Sequence, residues 1–199
     1  GSRASVLTPG PVGEPLALGA SQGDVLGVAF SPDGARVATA GVDGEVVVTA
    51  TSTGEVLQQL TAFPADVNDI EWTPDGAHLV SADSSGEVVL WDLATGGPVW
   101  AKPSHPGQAV AVEISPDGSL VATAGWNSSA LVQDAATGAE VYHVDTISKF
   151  AMDVAFSGDG SRLVVLDSTG NAFTVDARTG ETLRTVTGRR LAFTGLRPH

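Results

Sequence analysis

The 199-residue chain has no cysteine, one methionine and one tyrosine, and its 10 lysines and arginines stand against 23 aspartates and glutamates. Without cysteine there is no disulfide, no thiolate nucleophile and no Cys-based zinc site, which suits a reducing compartment such as the cytoplasm. The formal charge of −13 repels a phosphate backbone and leaves no basic stripe to follow one, so nucleic acid is not an expected partner. Uninterrupted apolar runs are only a few residues long, far short of the roughly 20 a bilayer requires, and neither a membrane span nor a signal peptide is expected. Turn chemistry, by contrast, is plentiful. With 24 Gly and 11 Pro among 42% hydrophobic residues, the composition describes a compact, β-rich chain and not a disordered one. Many acidic residues sit at turns, where Asp bonds its own backbone, so the negative charge reads as solvated turns before it reads as an acidic recognition face.

Residues 1–14 begin with Gly1-Ser2, which reads as a tag remnant, and are rich in Pro and Gly, the composition of a linker. Residues 15–19 read as a single strand that ends a repeat. From Val25 onward the repeat is explicit. Ser31-Pro32-Asp33-Gly34, Thr73-Pro74-Asp75-Gly76, Ser115-Pro116-Asp117-Gly118 and Ser157-Gly158-Asp159-Gly160 recur at intervals of 42 residues. Each suits a tight hairpin turn, with Pro presetting φ, Asp bonding the backbone and Gly accepting positive φ. Before each turn Val28, Ile70, Val112 and Val154 align, as do Phe30, Trp72, Ile114 and Phe156. A first strand with one buried face follows. A second strand carries Val37, Leu79, Val121 and Leu163. A third, such as Val88-Val89-Leu90, is apolar at consecutive positions and requires cover on both faces. A Thr-Gly turn then leads to a more polar fourth strand, suited to an edge. Four units result, at 25–61, 67–103, 109–145 and 151–187, with a further first strand at 191–196.

Four-stranded units of this length, with Ser-Pro-Asp-Gly after the first strand, Asp43-Gly44 in the second turn, Trp91-Asp92 closing the third strand and Thr-Gly beyond it, resemble the WD-repeat β-propeller family, in its prokaryotic type with near-identical blades. The resemblance implies an all-β propeller of four-stranded antiparallel blades, four complete in this chain with partial blades at either end. Two departures stand out. The Trp-Asp pair survives only at Trp91-Asp92, its counterparts being Thr49-Ala50, Gln133-Asp134 and Val175-Asp176. The Gly-His pair that often precedes the first strand in this family is missing from all four units, so its hydrogen-bond network with an Asp of the second turn is not expected, and stability is expected to rest on packing between blades. Family rings usually hold seven or eight blades, so four imply a homo-oligomer, a dimer completing an eight-bladed ring being favoured, or a fragment whose ends are covered by association.

Residues that could carry chemistry have plainer readings. His78, His105, His143 and His199 fall in different units without metal-ligand spacing and read as surface or edge residues. Asp33, Asp75, Asp117 and Asp159 recur at the hairpin turn and read as turn residues, not as a calcium or catalytic set. Ser84-Ser85 and Ser128-Ser129 lack a companion His and acid. No cofactor and no enzymatic activity is expected.

Trp126 differs, because a large aromatic occupies the second turn where the other units have Val42, Ser84 and Ser168. It reads either as an interaction anchor or as a side chain packed on a neighbouring loop. By the family's geometry the loops between units, with Phe63, His105, Lys149 and Phe150, share its side of the ring, which makes that side the candidate surface for a protein or peptide partner of unknown identity. Trp100 and Tyr142 lie on the fourth strand and suggest a second, side-exposed surface. The implied function is a non-catalytic scaffold or sensor platform within a larger signalling protein. The alternatives are a self-assembling structural ring and, behind it, a propeller enzyme.

Overall fold

The computed structural model describes residues 5–6, 16–17, 23–61, 65–146 and 150–188. Two short strands, β1 (Ser5–Val6) and β2 (Leu16–Ala17), pair antiparallel, so Leu16–Ala17 has a partner within the stretch read as linker. The remaining strands form four antiparallel sheets of four, each connected strand to next strand. Blade 1 holds β3 (Val25–Phe30), β4 (Arg36–Gly41), β5 (Glu45–Ala50) and β6 (Val56–Thr61). Blade 2 holds β7 (Val67–Trp72), β8 (His78–Asp83), β9 (Glu87–Asp92) and β10 (Gly97–Pro103). Blade 3 holds β11 (Ala109–Ile114), β12 (Leu120–Gly125), β13 (Ser129–Asp134) and β14 (Glu140–Asp145). Blade 4 holds β15 (Ala151–Phe156), β16 (Arg162–Asp167), β17 (Ala172–Asp176) and β18 (Thr182–Val186). The stretch 191–196 lies outside the described residues.

The hairpin turns form for the reason their composition suggests. In Ser31-Pro32-Asp33-Gly34 the Asp33 Oδ1 accepts from Ser31 Oγ and from the Ala35 amide, while Gly34 takes φ +68°. Asp75, Asp117 and Asp159 repeat these bonds with Thr73, Ser115 and Ser157. The hydroxyl donors hold these carboxylates below the ordinary range, Asp117 and Asp159 at about 2.

Pleating sends alternate side chains to opposite faces, and each face meets a different blade. Blade 2 directs Ile70, Trp72, Leu79, Val89 and Trp91 at Ala29, Ala38, Ala40, Val46, Val48 and Leu60 of blade 1. Its other face, with Val80, Ala82, Val88, Leu90 and Trp100, packs on Val112, Ile114 and Val121 of blade 3. Blades 3 and 4 meet the same way through Ala122, Ala124, Val132, Val154, Leu163 and Phe173. The hydrophobic core is therefore a series of layers between sheets, as expected of stacked repeats. The first strands approach most closely. A methyl group on Gly27 would lie 3.1 Å from the Asp69 Cα, so a side chain there would require β7 to shift by a few tenths of an ångström.

Aromatic side chains also tie each blade to a neighbour. Trp72 Nε1 donates to Ala29 O at 3.0 Å, Trp100 Nε1 to Ala135 O at 2.8 Å, and the Tyr142 hydroxyl to Ala177 O at 2.9 Å. Trp100 is consequently 8% exposed and Tyr142 is half-buried. The expectation of a side-exposed surface at these two residues is corrected. Each bends over the following blade, where Gly138 and Gly180 leave room for the ring.

Candidate functional site

The loops entering the first strands and the second turns lie at one rim, because every first strand starts there and every second strand ends there. In all four blades the second turn donates a backbone amide to the residue just before the first strand. These bonds run from Val42 to Asp24, Ser84 to Asp66, Trp126 to Gln108 and Ser168 to Phe150. At blade 3 this places the Trp126 indole 5.2 Å from the Phe150 ring at a 53° tilt, a favourable aromatic geometry. Trp126 nevertheless remains 46% exposed. Thr146 bonds Ser128 O through both its amide and its hydroxyl, so the loop after β14 braces the same turn. Phe63 and Lys149 lie outside the described residues.

His105 corrects the reading of the histidines as surface groups: it is 4% exposed. Its Nδ1 lies 2.9 Å from Asn127 Oδ1 and its Nε2 lies 2.8 Å from Thr123 Oγ1. Asn127 Nδ2 donates to Ser129 Oγ, which leaves Oδ1 as an acceptor. The Asn127 bond therefore assigns the His105 proton to Nδ1, and the Thr123 hydroxyl donates to Nε2. Burial holds the imidazole pKa below its usual value despite the Asn127 bond, so the ring is neutral at pH 7. His105 acts beneath the rim, fixing the Trp126 turn, and is no surface contact.

Blade 2 is bonded differently at this rim. Trp91 Nε1 donates to Ser81 Oγ at 3.0 Å in the buried layer. Asp83 in its second turn accepts from the Ser85 and Glu87 amides through Oδ1, and its buried Oδ2 has no hydrogen-bond partner among the described residues. One period before His105 stands Phe63; one period after Trp91 stands Gln133. Among the described residues no histidine bonds an Asp of a second turn: His105 bonds Thr123 and Asn127 in blade 3, while in blade 2 Trp91 bonds Ser81 and Asp83 bonds only its own turn. Ser104-His105 was the signal of the buried histidine, hidden because serine replaces the glycine of the usual pair.

These side chains ride on strands of five to seven residues repeated every 42 positions, and a family model described as "WD domain, G-beta repeat" matches residues 13–48, 54–92 and 96–134, together more than half of the chain. The chain belongs to this family. Its WD repeats are staggered against its blades, since the segments 54–92 and 96–134 each begin in the turn leading into the fourth strand of one blade and end on the third strand of the next. Blade 4 follows the same strand order beyond the matched segments. No curated protein matches the chain.

Carboxylates cluster on the first strands of this WD-repeat array. Asp69 Oδ2 accepts the Val112 amide of the next blade at 2.9 Å, and Glu113 Oε2 accepts the Phe156 amide at 2.7 Å. Burial pushes the pKa of Asp69, Glu71 and Glu113 up, and repulsion adds to it, from Asp153 on Asp69, from Asp69 on Glu71, and from Glu71, Asp153 and Asp69 on Glu113. Among the described residues no group of three or more His, Asp or Glu is arranged to hold a metal ion. A carboxylate whose folded pKa is raised contributes stability fully below its unfolded pKa and loses it as pH rises through the folded pKa. Glu113→Gln keeps an acceptor for the Phe156 amide and removes the charge. It is expected to raise the urea midpoint at pH 7–8, with the gain shrinking towards pH 4. An equal gain at both pH values would sink this account.

No helix among the described residues is long and apolar enough to cross a membrane.

Proposed function

We propose that this WD-repeat chain is a non-catalytic interaction platform that presents Trp126, backed by Phe150, to a protein partner, within a larger signalling protein. The observation that carries the reading is the contrast between exposure and fixation. Trp126 keeps 46% of its surface in water, yet its turn is held by Gln108, by Thr146 through Ser128, and by His105 through Asn127. An exposed aromatic whose backbone is already immobile loses little entropy on binding and can anchor an interface. The blades act as a frame for fixed loops, and no bond is made or broken. The test is selection of binders from a displayed peptide library, followed by titration of Trp126→Ala. A loss of affinity of at least about tenfold is expected, with stability lowered only by about the 0.5–1.5 kcal/mol of the Phe150 contact. Binders that tolerate the substitution would overturn the choice of this rim.

A second reading, self-association of the blades, is favoured by the exposure of Val28, Phe30 and Leu166, residues at positions that neighbouring blades otherwise cover. It concerns the two ends of the array and is compatible with a partner on the loop rim.

A further inference from the structure

At the rim opposite Trp126 the proline turns of adjacent blades stack in one repeated geometry. A methyl group placed on Gly76, Gly118 or Gly160 would in each case lie 3.6 Å from the δ-carbon of the preceding turn's proline, Pro32, Pro74 or Pro116. Three grooves with the same frame result, and each is filled differently. Between blades 1 and 2, Arg36 lies over the Trp72 ring at 4.5 Å and its Nη2 donates to Gly76 O at 2.8 Å. Leu93 packs against the core of the same interface. Between blades 3 and 4, the position of Arg36 is taken by Leu120, which packs on the core of that interface.

Between blades 2 and 3 the same position holds the shorter His78, Ala135 replaces Leu93, and Ile114 stands where Trp72 lies under Arg36, so the glycine carbonyl and the apolar groove are kept but the aromatic ring is not. A cavity of about 640 Å³ remains, lined among others by Asp75, His78, Leu90, Val99, Asp117 and Ala135. Its floor is apolar and its mouth carries two aspartates. The chain thus contains, one period upstream, its own example of what fills this frame: an arginine whose stem lies along the groove and whose guanidinium reaches the glycine carbonyl of the next turn.

We propose that the groove between blades 2 and 3 receives an arginine side chain from a protein partner. The stem would cover Leu90 and Val99, as long basic side chains cover apolar surface, and the guanidinium would meet Gly118 O as that of Arg36 meets Gly76 O. Asp75 and Asp117 complement its charge, and the net charge of −13 favours a basic segment over an acidic one. This site is separate from the Trp126 rim and does not depend on that reading.

The test titrates the whole chain with the peptide acetyl-Gly-Gly-Arg-Gly-Gly-amide and with its citrulline counterpart, following the amide resonances of Gly118, Ala135 and Ala136. The arginine peptide is expected to shift these resonances saturably, and at least tenfold more tightly than citrulline, which has the same shape without the charge. His78→Arg places the chain's own guanidinium in the cavity and is expected to weaken the peptide at least tenfold. Ala135→Leu, which restores the residue found in the first groove, is expected to do the same, while Trp126→Ala has no effect. Equal binding of the two peptides, no saturable shift up to about 10 mM, or binding indifferent to both cavity-filling substitutions would overturn the proposal.

Discussion

Replacing Trp72 with alanine is expected to cost about 3–5 kcal/mol, the range for emptying a large aromatic site in a packed core. Trp72 is 3% exposed and sits between Ala29, Ala38 and Ala40 of blade 1 and Leu79 of its own blade. Small neighbours cannot collapse far into the space it leaves. The substitution also strands Ala29 O, which loses the indole donor, and removes the surface under the Arg36 guanidinium. Trp72→Phe keeps most of the ring area and is expected to cost about 1–3 kcal/mol, near the cost of the lost hydrogen bond. Urea denaturation measures both. Because the core lies between blades, the damage should also be local: hydrogen exchange in Trp72→Ala should accelerate in β3–β6 before β11–β17. Equal acceleration in all four blades would show that the array opens as one unit and contradict this layered account.

The second large effect concerns mass. Light scattering on the 20.1 kDa chain is expected to show a dimer of twice that mass at micromolar concentration. Val28 is 57% and Phe30 53% exposed, whereas their counterparts Ile70 and Trp72 are 2% and 3% exposed. At the far end of the array Leu166 is exposed where Ala40, Ala82 and Ala124 are buried, and Arg184 is exposed where Trp100 and Tyr142 bend over the following blade. The two ends are the two halves of the interface already repeated three times inside the chain. Trp72 shares a packed layer with Ala38 and Ala40; in a head-to-tail pair the smaller Phe30 would share one with the bulkier Val164 and Leu166. Two copies joined this way make two equivalent contacts and close, leaving no further end to extend a fibre. Phe30→Asp is expected to return the mass to that of one chain. It should leave the monomer's stability within about 0.5 kcal/mol, because the residue is exposed there. A mass of one chain at every concentration tested would rule out this assembly.

The candidate surfaces were unequally legible. Trp126 stood out because a repeat shows at once which residue breaks the pattern of Val42, Ser84 and Ser168. That it would be both exposed and set at a tilt against Phe150 depends on a contact between loops 24 residues apart, which periodicity does not encode. His105 looked like a surface residue because neutral, buried histidine needs two partners, and these come from β12 and the turn after it. Trp100 on a polar fourth strand looked exposed, and became buried because the next blade offers Gly138 and the Ala135 carbonyl. The groove between blades 2 and 3 differs from the first at three positions, His78 for Arg36, Ala135 for Leu93 and Ile114 for Trp72, of which the first two line the cavity. Those two signify a cavity only once their positions are known to face each other across blades.

The 42-residue period, the Asp-Gly turns and the alternation of apolar residues determined four meanders of four strands without reference to any contact, since turn geometry and pleating are local and depend on residues a few positions apart. Tertiary structure alone decided which face of each meander is buried and by what, because that cover comes from a neighbour 42 residues away whose angle and distance are set by packing. Burial in this protein lies between its repeats, so the sequence of any one unit describes its strands but not its surroundings.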